Sequence, residues 1–222
     1  MKHSENTNRV CAVIPFYNEA KFIDDIICET LKFADYVIAV NDGSNDGFLI
    51  DCKKNNFEII SHKINLGKGS ALTTGLERAA EMDFDFVVTL DADFQHPPEL
   101  IPKFIEAVRN ADLVVGNRMN DISPMPFSRK ISNALSSMLL SAKTGTIMKD
   151  TQNGFRIFRA EKLKEILPSF NGFEAESEML VKAAKNGMKI KFIDVPTIYN
   201  DNESKMKNVE TIIGFLKVLF KK

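Results

Sequence analysis

The chain has 222 residues, 44% of them hydrophobic, enough to bury a sizeable core. Its 29 basic and 30 acidic residues leave a formal net charge of -1, so neither a global basic field for nucleic acid nor a disordering acidic excess is present. Short apolar runs at 10–15, 36–40, 57–61, 86–90, 113–116 and 191–195 read as strands, with 155–159 a weaker candidate. Most are nearly continuous hydrophobics, as in strands covered on both faces.

Segments of helical period separate these runs. Phe22, Ile23, Ile26, Ile27, Thr30 and Leu31 mark the first, and further helices are expected over 68–80 and 99–109. This rhythm predicts a mainly parallel α/β sheet. After Gly116 it weakens. Residues 117–126 read as a loop with Pro124 and Pro126. The 127–142 segment reads as a helix with Ile131, Leu135, Met138 and Leu139 on one face. Another helix is expected over 174–185, ended by Asn186-Gly187. A last one over 208–220 has Val209, Ile212, Ile213, Leu216 and Phe220 in a stripe. No linker divides the chain, so one domain over 1–222 is expected. Residues 10–116 form its nucleotide half and 117–222 its acceptor half.

The polar N-terminal stretch lacks the apolar core of a signal peptide. No apolar run approaches the ~18 residues of a membrane span. The expectation is a cytoplasmic protein, soluble or at most peripheral on a membrane. Cys11, Cys28 and Cys52 are odd in number and not closely paired. They read as small buried hydrophobes of a reducing compartment, not as a disulfide frame or zinc site.

Four polar loops follow the first four strands, where ligands of an open parallel sheet bind. The sharpest is Asp91-Ala92-Asp93-Phe94-Gln95-His96. Carboxylate oxygens suit Mg²⁺ and Mn²⁺, often shared with substrate phosphates. Asp93 and Gln95 can face one side, with Asp91 acting through water or the nucleotide; an ordinary strand-to-turn cap is the alternative. In Asn65-Leu66-Gly67-Lys68-Gly69, the glycines, the helix N-terminus and Lys68 suit an anion. A plain glycine turn is the alternative, and the Walker spacing is absent.

VIPFYNEA, VNDGSNDG, NLGKGSALTTGL and VTLDADFQHPPELIP occur in this order. With GNRM at 116–119, FSRKISN at 127–133 and DTQNGFRIFR at 150–159, they resemble glycosyltransferase family 2. The pattern is similar to polyprenyl-phosphate sugar synthases of the dolichol-phosphate mannose synthase type, over roughly residues 10–205. The resemblance implies a GT-A fold: one α/β domain with a doubly wound, mostly parallel sheet flanked by helices. It implies an inverting, metal-dependent transferase using a GDP- or UDP-sugar donor and Mg²⁺ or Mn²⁺.

Carried over by motif, Pro15, Tyr17, Glu19 and Asp42 hold the base and ribose of the nucleotide. Lys68 and Ala92 join that nucleotide site. Asp91, Asp93 and Gln95 match the metal site. Arg118 and Arg129 match basic positions near the donor diphosphate and the acceptor phosphate. Asp150, Thr151, Gln152 and Gly154 match the acceptor loop, and Glu176 falls in a glutamate-rich segment. One departure concerns 197–205: the Ser204-Lys205 pair is kept, while the expected Arg and Gly are missing. Diphosphate clamping then passes to Lys205.

A hydroxyl acceptor needs a general base, whereas a lipid phosphate is already anionic. The family's acidic base signature is missing, and Arg129 and Lys130 begin an amphipathic helix. These features favour a polyprenyl phosphate acceptor at a membrane surface, and leave room for a separate membrane partner. Two alternatives stay open. One is transfer to a glycan or small-molecule hydroxyl, with Glu176 or Asp150 as base. The other is a nucleotide-sugar-binding module without catalysis.

Overall fold

The computed structural model describes residues 8–198 and 208–220, with side chains of the last helix described from 213 onward. Seven strands form one sheet: β1 Val10–Phe16, β2 Tyr36–Asn41, β3 Phe57–Ser61, β4 Phe86–Thr89, β5 Leu113–Asn117, β6 Arg156–Arg159 and β7 Ile190–Asp194. Their order across the sheet is β3-β2-β1-β4-β6-β5-β7. All pairings are parallel except those of β6, which runs antiparallel to both β4 and β5.

The helices are α1 Ile23–Thr30, α2 Lys68–Ala80, α3 Ile101–Val108, α4 Phe127–Thr144, α5 Leu163–Ile166, α6 Glu174–Lys185 and α7 Asn208–Phe220. Residues of β1 alternate between the two faces because strand side chains have a period of two. Ala12, Ile14 and Phe16 meet Ile23, Ile26 and Ile27 of α1 and Phe104 of α3. Cys11 and Val13 meet Leu72 and Leu76 of α2 and Leu180 of α6. Both faces are therefore covered, which explains the unbroken apolar strands.

The expected strands and long helices all occur, with ends shifted by a few residues. The short α5 and the 3₁₀ turns Pro98–Leu100 and Ala160–Lys162 were not anticipated. A one-turn helix is too short to display a period.

The cysteine expectation is corrected. Cys28 and Cys52 form a disulfide, with Cα atoms 5.7 Å apart. Spacing along the chain hid the pair, because the fold returns the segment before β3 to the end of α1. The carboxylate of Asp24 fixes that return by accepting from the Asp51 and Cys52 N–H groups. Only Cys11 is a buried free thiol, and burial pushes it up to about 12.

The site-forming edge follows from this topology. Parallel strands β1, β2, β4 and β5 deliver their following loops to one edge. β6 runs the other way, pairing Arg156 with Thr89. The loop before β6, residues 150–155, therefore reaches that same edge. The 150–155 loop thus sits beside the loops that follow β1, β2 and β4, although 57 positions separate Asp93 from Asp150 in sequence.

Candidate active site

The first two loops are laced together. Asn18 donates its N–H to Ser44 Oγ at 2.9 Å and accepts from the Asn45 N–H at 2.9 Å. Ala20 N–H donates to Asp46 at 2.7 Å. Asn18 adopts φ 51°, a left-handed conformation that asparagine tolerates. Pro15 lies within β1 opposite Val40, and Tyr17 and Glu19 follow half-buried in the loop.

Asp42 is buried and turned toward the third loop. Its carboxylate accepts from the Leu66 N–H at 2.9 Å, the Gly67 N–H at 2.8 Å and His62 Nδ1 at 2.8 Å. It thereby fixes the entry to α2.

The glycines of that third loop serve a different purpose from the one expected. Gly69 and Ser70 both donate their N–H groups to the carbonyl of Asn171, at 2.7 and 3.3 Å. A Cβ on Gly67 would lie 2.4 Å from Asn171 O, and one on Gly69 would lie 2.4 Å from Phe170 O. The glycines admit protein backbone, and these α2 amides are satisfied by it rather than left for an anion.

Lys68 is the charged hub. Its Nζ lies 2.7 Å from Asp91 Oδ1 and 2.9 Å from Glu176 Oε1. Burial would lower its proton affinity, but the two carboxylates more than reverse this and raise it. Burial alone would raise the Asp91 carboxyl, yet the Lys68 cation is the main force that holds it at about 2. Gly154 lies against the same cluster. A Cβ there would be 2.7 Å from Glu176 Oε1 and 3.2 Å from Asp91 Oδ1. Its carbonyl accepts from Thr89 Oγ1 at 2.7 Å.

His96 supports the DAD turn from behind. Its Nδ1 accepts the Asp91 N–H at 2.9 Å, and its ring stacks on Phe155 at 5.4 Å. Burial lowers it to about 4, so it is neutral near pH 7 and its 3.8 Å approach to the Asp91 carboxylate is no ion pair. Phe94 takes φ 60°, which turns the chain sharply after Asp93. Ala92 is buried beneath the turn.

Asp93 is raised to about 6, first by burial and then by the neighbouring Asp91 charge. The Gln95 N–H, donated to Asp93 Oδ1 at 3.0 Å, opposes that rise. Among the described residues no group of three His, Cys, Asp or Glu side chains could hold a metal. The expected set instead has two carboxylates and the Gln95 amide. Asp91 and Asp93, two positions apart on one turn, offer the oxygen donors that a hard cation takes, and the Asp93 carboxyl is raised by burial and by the Asp91 charge.

Arg118 binds Asp150 through a two-point contact, Nε to Oδ2 at 2.8 Å and Nη2 to Oδ1 at 3.0 Å. The Arg118 N–H also donates to Asp150 Oδ2, and its carbonyl accepts from Thr197 Oγ1. Thr151 Oγ1 lies 2.9 Å from Ser136 Oγ of α4. Gln152 Nε2 donates to Ser132 at 3.1 Å and to Ser136 at 3.3 Å. Arg129 sits half-buried on the first turn of α4. Lys205 lies outside the described residues.

Direct contact thus joins Lys68, Asp91, Glu176 and Gly154, and separately Arg118 and Asp150. Asp42 bonds instead to His62 and to the Leu66 and Gly67 amides. Sequence reasoning missed Arg156 and His96 as supports. Arg156 is fully buried and donates to the carbonyls of Asn153, Thr151 and Glu176 at 2.8, 3.1 and 2.6 Å. An arginine flanked by Phe155 and Ile157 in an apolar strand run was the available signal.

Comparison with known proteins agrees with this architecture. The family model for "Glycosyl transferase family 2" matches residues 11–167. A UDP-N-acetylglucosamine--dolichyl-phosphate N-acetylglucosaminyltransferase of Methanococcus voltae is 32% identical, with 91% of this chain and 90% of that protein covered. A dolichol-phosphate mannosyltransferase of Pyrococcus furiosus is 30% identical, covering 96% of this chain and 63% of that protein. Among solved structures, glucosyl-3-phosphoglycerate synthase of Mycobacterium tuberculosis superposes with a TM-score of 0.73 at 20% identity. The match covers 96% of this chain and 78% of that one. The sheet and its helices form a GT-A fold, and the chain belongs to glycosyl transferase family 2.

Proposed function

We propose that this protein transfers a sugar, with inversion, from a nucleotide-diphosphate donor carrying GDP or UDP to a polyprenyl phosphate. The observation that carries this reading is the state of the two candidate bases. Both oxygens of Asp150 accept from Arg118, and Glu176 is buried against Lys68. A general base must reach the acceptor hydroxyl and take its proton. Carboxylates held by cations are poorly placed for that, while a phosphate acceptor needs none. The relatives from Methanococcus voltae and Pyrococcus furiosus carry dolichyl phosphate in their names, which supports the same acceptor class.

In this reading Pro15, Tyr17, Glu19 and Asp42 hold the base and ribose. Lys68 and Arg118 meet the negative charge of the donor, already oriented by their carboxylate partners. Arg129 and the loop of Asp150, Thr151, Gln152 and Gly154 position the acceptor phosphate for in-line attack on the anomeric carbon. Asp91 and Asp93, with Gln95, would hold Mg²⁺ or Mn²⁺, which neutralises the leaving diphosphate when bound. The solved synthase from Mycobacterium tuberculosis holds Mn²⁺ and UDP, which supports that assignment. The enzyme works on the cytoplasmic face of a membrane.

The test uses a panel of labelled UDP- and GDP-sugars with a short polyprenyl phosphate and the matching polyprenol. Transfer to the phosphate and none to the alcohol is expected. Arg129→Ala should lose transfer and keep nucleotide binding. Equal transfer to the polyprenol, or efficient transfer only to soluble glycans, would overturn the reading.

A further inference from the structure

Helix α4 reverses much of the usual pattern. Its buried side carries the polar Asn133, Ser136 and Ser137 beside Leu140, and Ser136 and Ser137 bond to Thr151 Oγ1 and the Lys149 carbonyl respectively. Its outer side carries Phe127, Ile131, Leu135 and Met138, which are 76%, 52%, 49% and 61% exposed. Their spacing of four, four and three residues lines them up as one stripe. A helix on a water-facing surface has the opposite arrangement. The exposed apolar surface continues at Ile147, 79% exposed, in the loop after α4. The adjoining α7 adds Phe220, 78% exposed, and is tied to α4 by Lys143 Nζ donating to Leu219 O at 2.7 Å.

Charge selects the occupant. The 18 residues of α4 include Arg129, Lys130 and Lys143 and no carboxylate. A second copy packed symmetrically through α4 would bring cations against cations with no acidic partner on that helix. A bilayer with anionic headgroups supplies both partners, acyl chains for the stripe and phosphates for the bases. No helix of the described residues is long and apolar enough to cross a membrane, so such contact would be along the surface.

We propose that the outer face of α4, with the exposed end of α7, docks on an anionic lipid bilayer. This deepens the acceptor reading above and rests on it in one respect. The inner face of α4 bonds directly to Thr151 and Gln152, so docking brings the acceptor loop to the interface where a lipid phosphate would arrive.

The experiment is co-sedimentation of the full chain with vesicles of phosphatidylcholine and phosphatidylglycerol, free of any polyprenyl phosphate. Binding that weakens with added salt is expected. The triple variant Ile131→Ser, Leu135→Ser, Met138→Ser should bind at least about tenfold more weakly. Because these side chains face outward, its thermal unfolding and nucleotide binding should match the wild type. Wild-type protein that ignores anionic vesicles, or a folded triple variant that binds them equally, would overturn docking. So would a dimer in vesicle-free solution that the triple variant abolishes, which would assign the face to a second copy. Transfer to a short, water-soluble polyprenyl phosphate separates the two readings. Its failure in the wild type would sink the acceptor assignment while vesicle binding still decides the docking. Its survival in the triple variant, with loss of transfer to long-chain acceptor in vesicles, would support both.

Discussion

Lys68 keeps Asp91 and Glu176 together in a little-exposed corner where two bare carboxylates would repel. Removing one partner of such a group leaves uncompensated charge and costs about 3 kcal/mol. Lys68→Met should therefore lower stability by that order and lower turnover. Adding Glu176→Gln should recover part of the stability but not the turnover. The pH dependence has a definite sign. The Asp91 carboxyl is depressed from 3.8 to about 2, so its share is present above 3.8 and lost as pH falls toward 2. Lys68 is raised above 10.5, so its share is present below 10.5 and lost at more alkaline pH. The stability gap between wild type and Lys68→Met should be largest at about pH 8 to 9, shrink as Asp93 takes up its proton near pH 6, and shrink again below pH 4 as Asp91 does. Denaturant titrations at these pH values would show it, and a gap that widens in acid would disprove the ion-pair account. At this scale the sequence was informative about residue types and silent about partners. Asp91 and Asp93 were legible from their position after an apolar strand. That Lys68 answers Glu176, 108 positions away, depends on how α2 and α6 meet, which no local pattern encodes. The Cys28–Cys52 pair was missed for the same reason.

Elements were far more legible, because periodicity reports burial directly. The strands and most helices appear where alternating or continuous apolar runs place them. Helix α4 marks the limit of that logic: period identifies a stripe, but it does not say whether the stripe faces the core or the outside. The glycines of α2 mark another. They suggested an approach to an anion, and the fold uses them for approach to the 170–172 backbone. That reassignment predicts a contrast between two substitutions. A Cβ on Gly69 would meet Phe170 O at 2.4 Å and Ala175 Cβ at 2.7 Å. Backbone has to move, so Gly69→Ala should cost about 1–3 kcal/mol, or roughly 2–12 °C in melting temperature for a chain of this size. It should also weaken activity, since the moving loop precedes α6 and Glu176. Gly145 caps α4 at φ +68° with nothing within 4 Å of a new Cβ. Gly145→Ala should cost only the left-handed strain, about 1 kcal/mol, with activity retained. Equal melting temperatures and full activity for both would show that the close approach at Gly69 carries no weight.

Across the whole molecule, one antiparallel strand unites the two halves. β6 lies between β4 and β5 and carries the 150–155 loop to their carboxyl ends, so the 10–116 and 117–222 segments share a single sheet edge. The chain is nearly neutral overall, yet this edge is not balanced. Asp91, Asp93, Asp150 and Glu176 converge there with Lys68, Arg118 and Arg156, and Arg156 is already committed to three backbone carbonyls. The rise of Asp93 to about 6 comes first from its burial, and the neighbouring Asp91 charge adds to it. A donor diphosphate would add more, and neither Lys68 nor Arg118 can serve it without sharing charge with a carboxylate. An extra divalent cation, held at Asp91 and Asp93 as proposed, would offset that charge. Chelation with EDTA should therefore weaken binding of GDP or UDP and cut transfer at least about a hundredfold, with recovery on adding Mn²⁺ or Mg²⁺. Asp93→Asn removes one carboxylate with little change of shape. It should keep its fold, lose the metal-dependent part of the nucleotide thermal shift, and fail to respond to added Mn²⁺. Wild-type turnover by Asp93→Asn in EDTA would mean that Lys68 and Arg118 alone meet the leaving charge, and that the carboxylate pair has a different role.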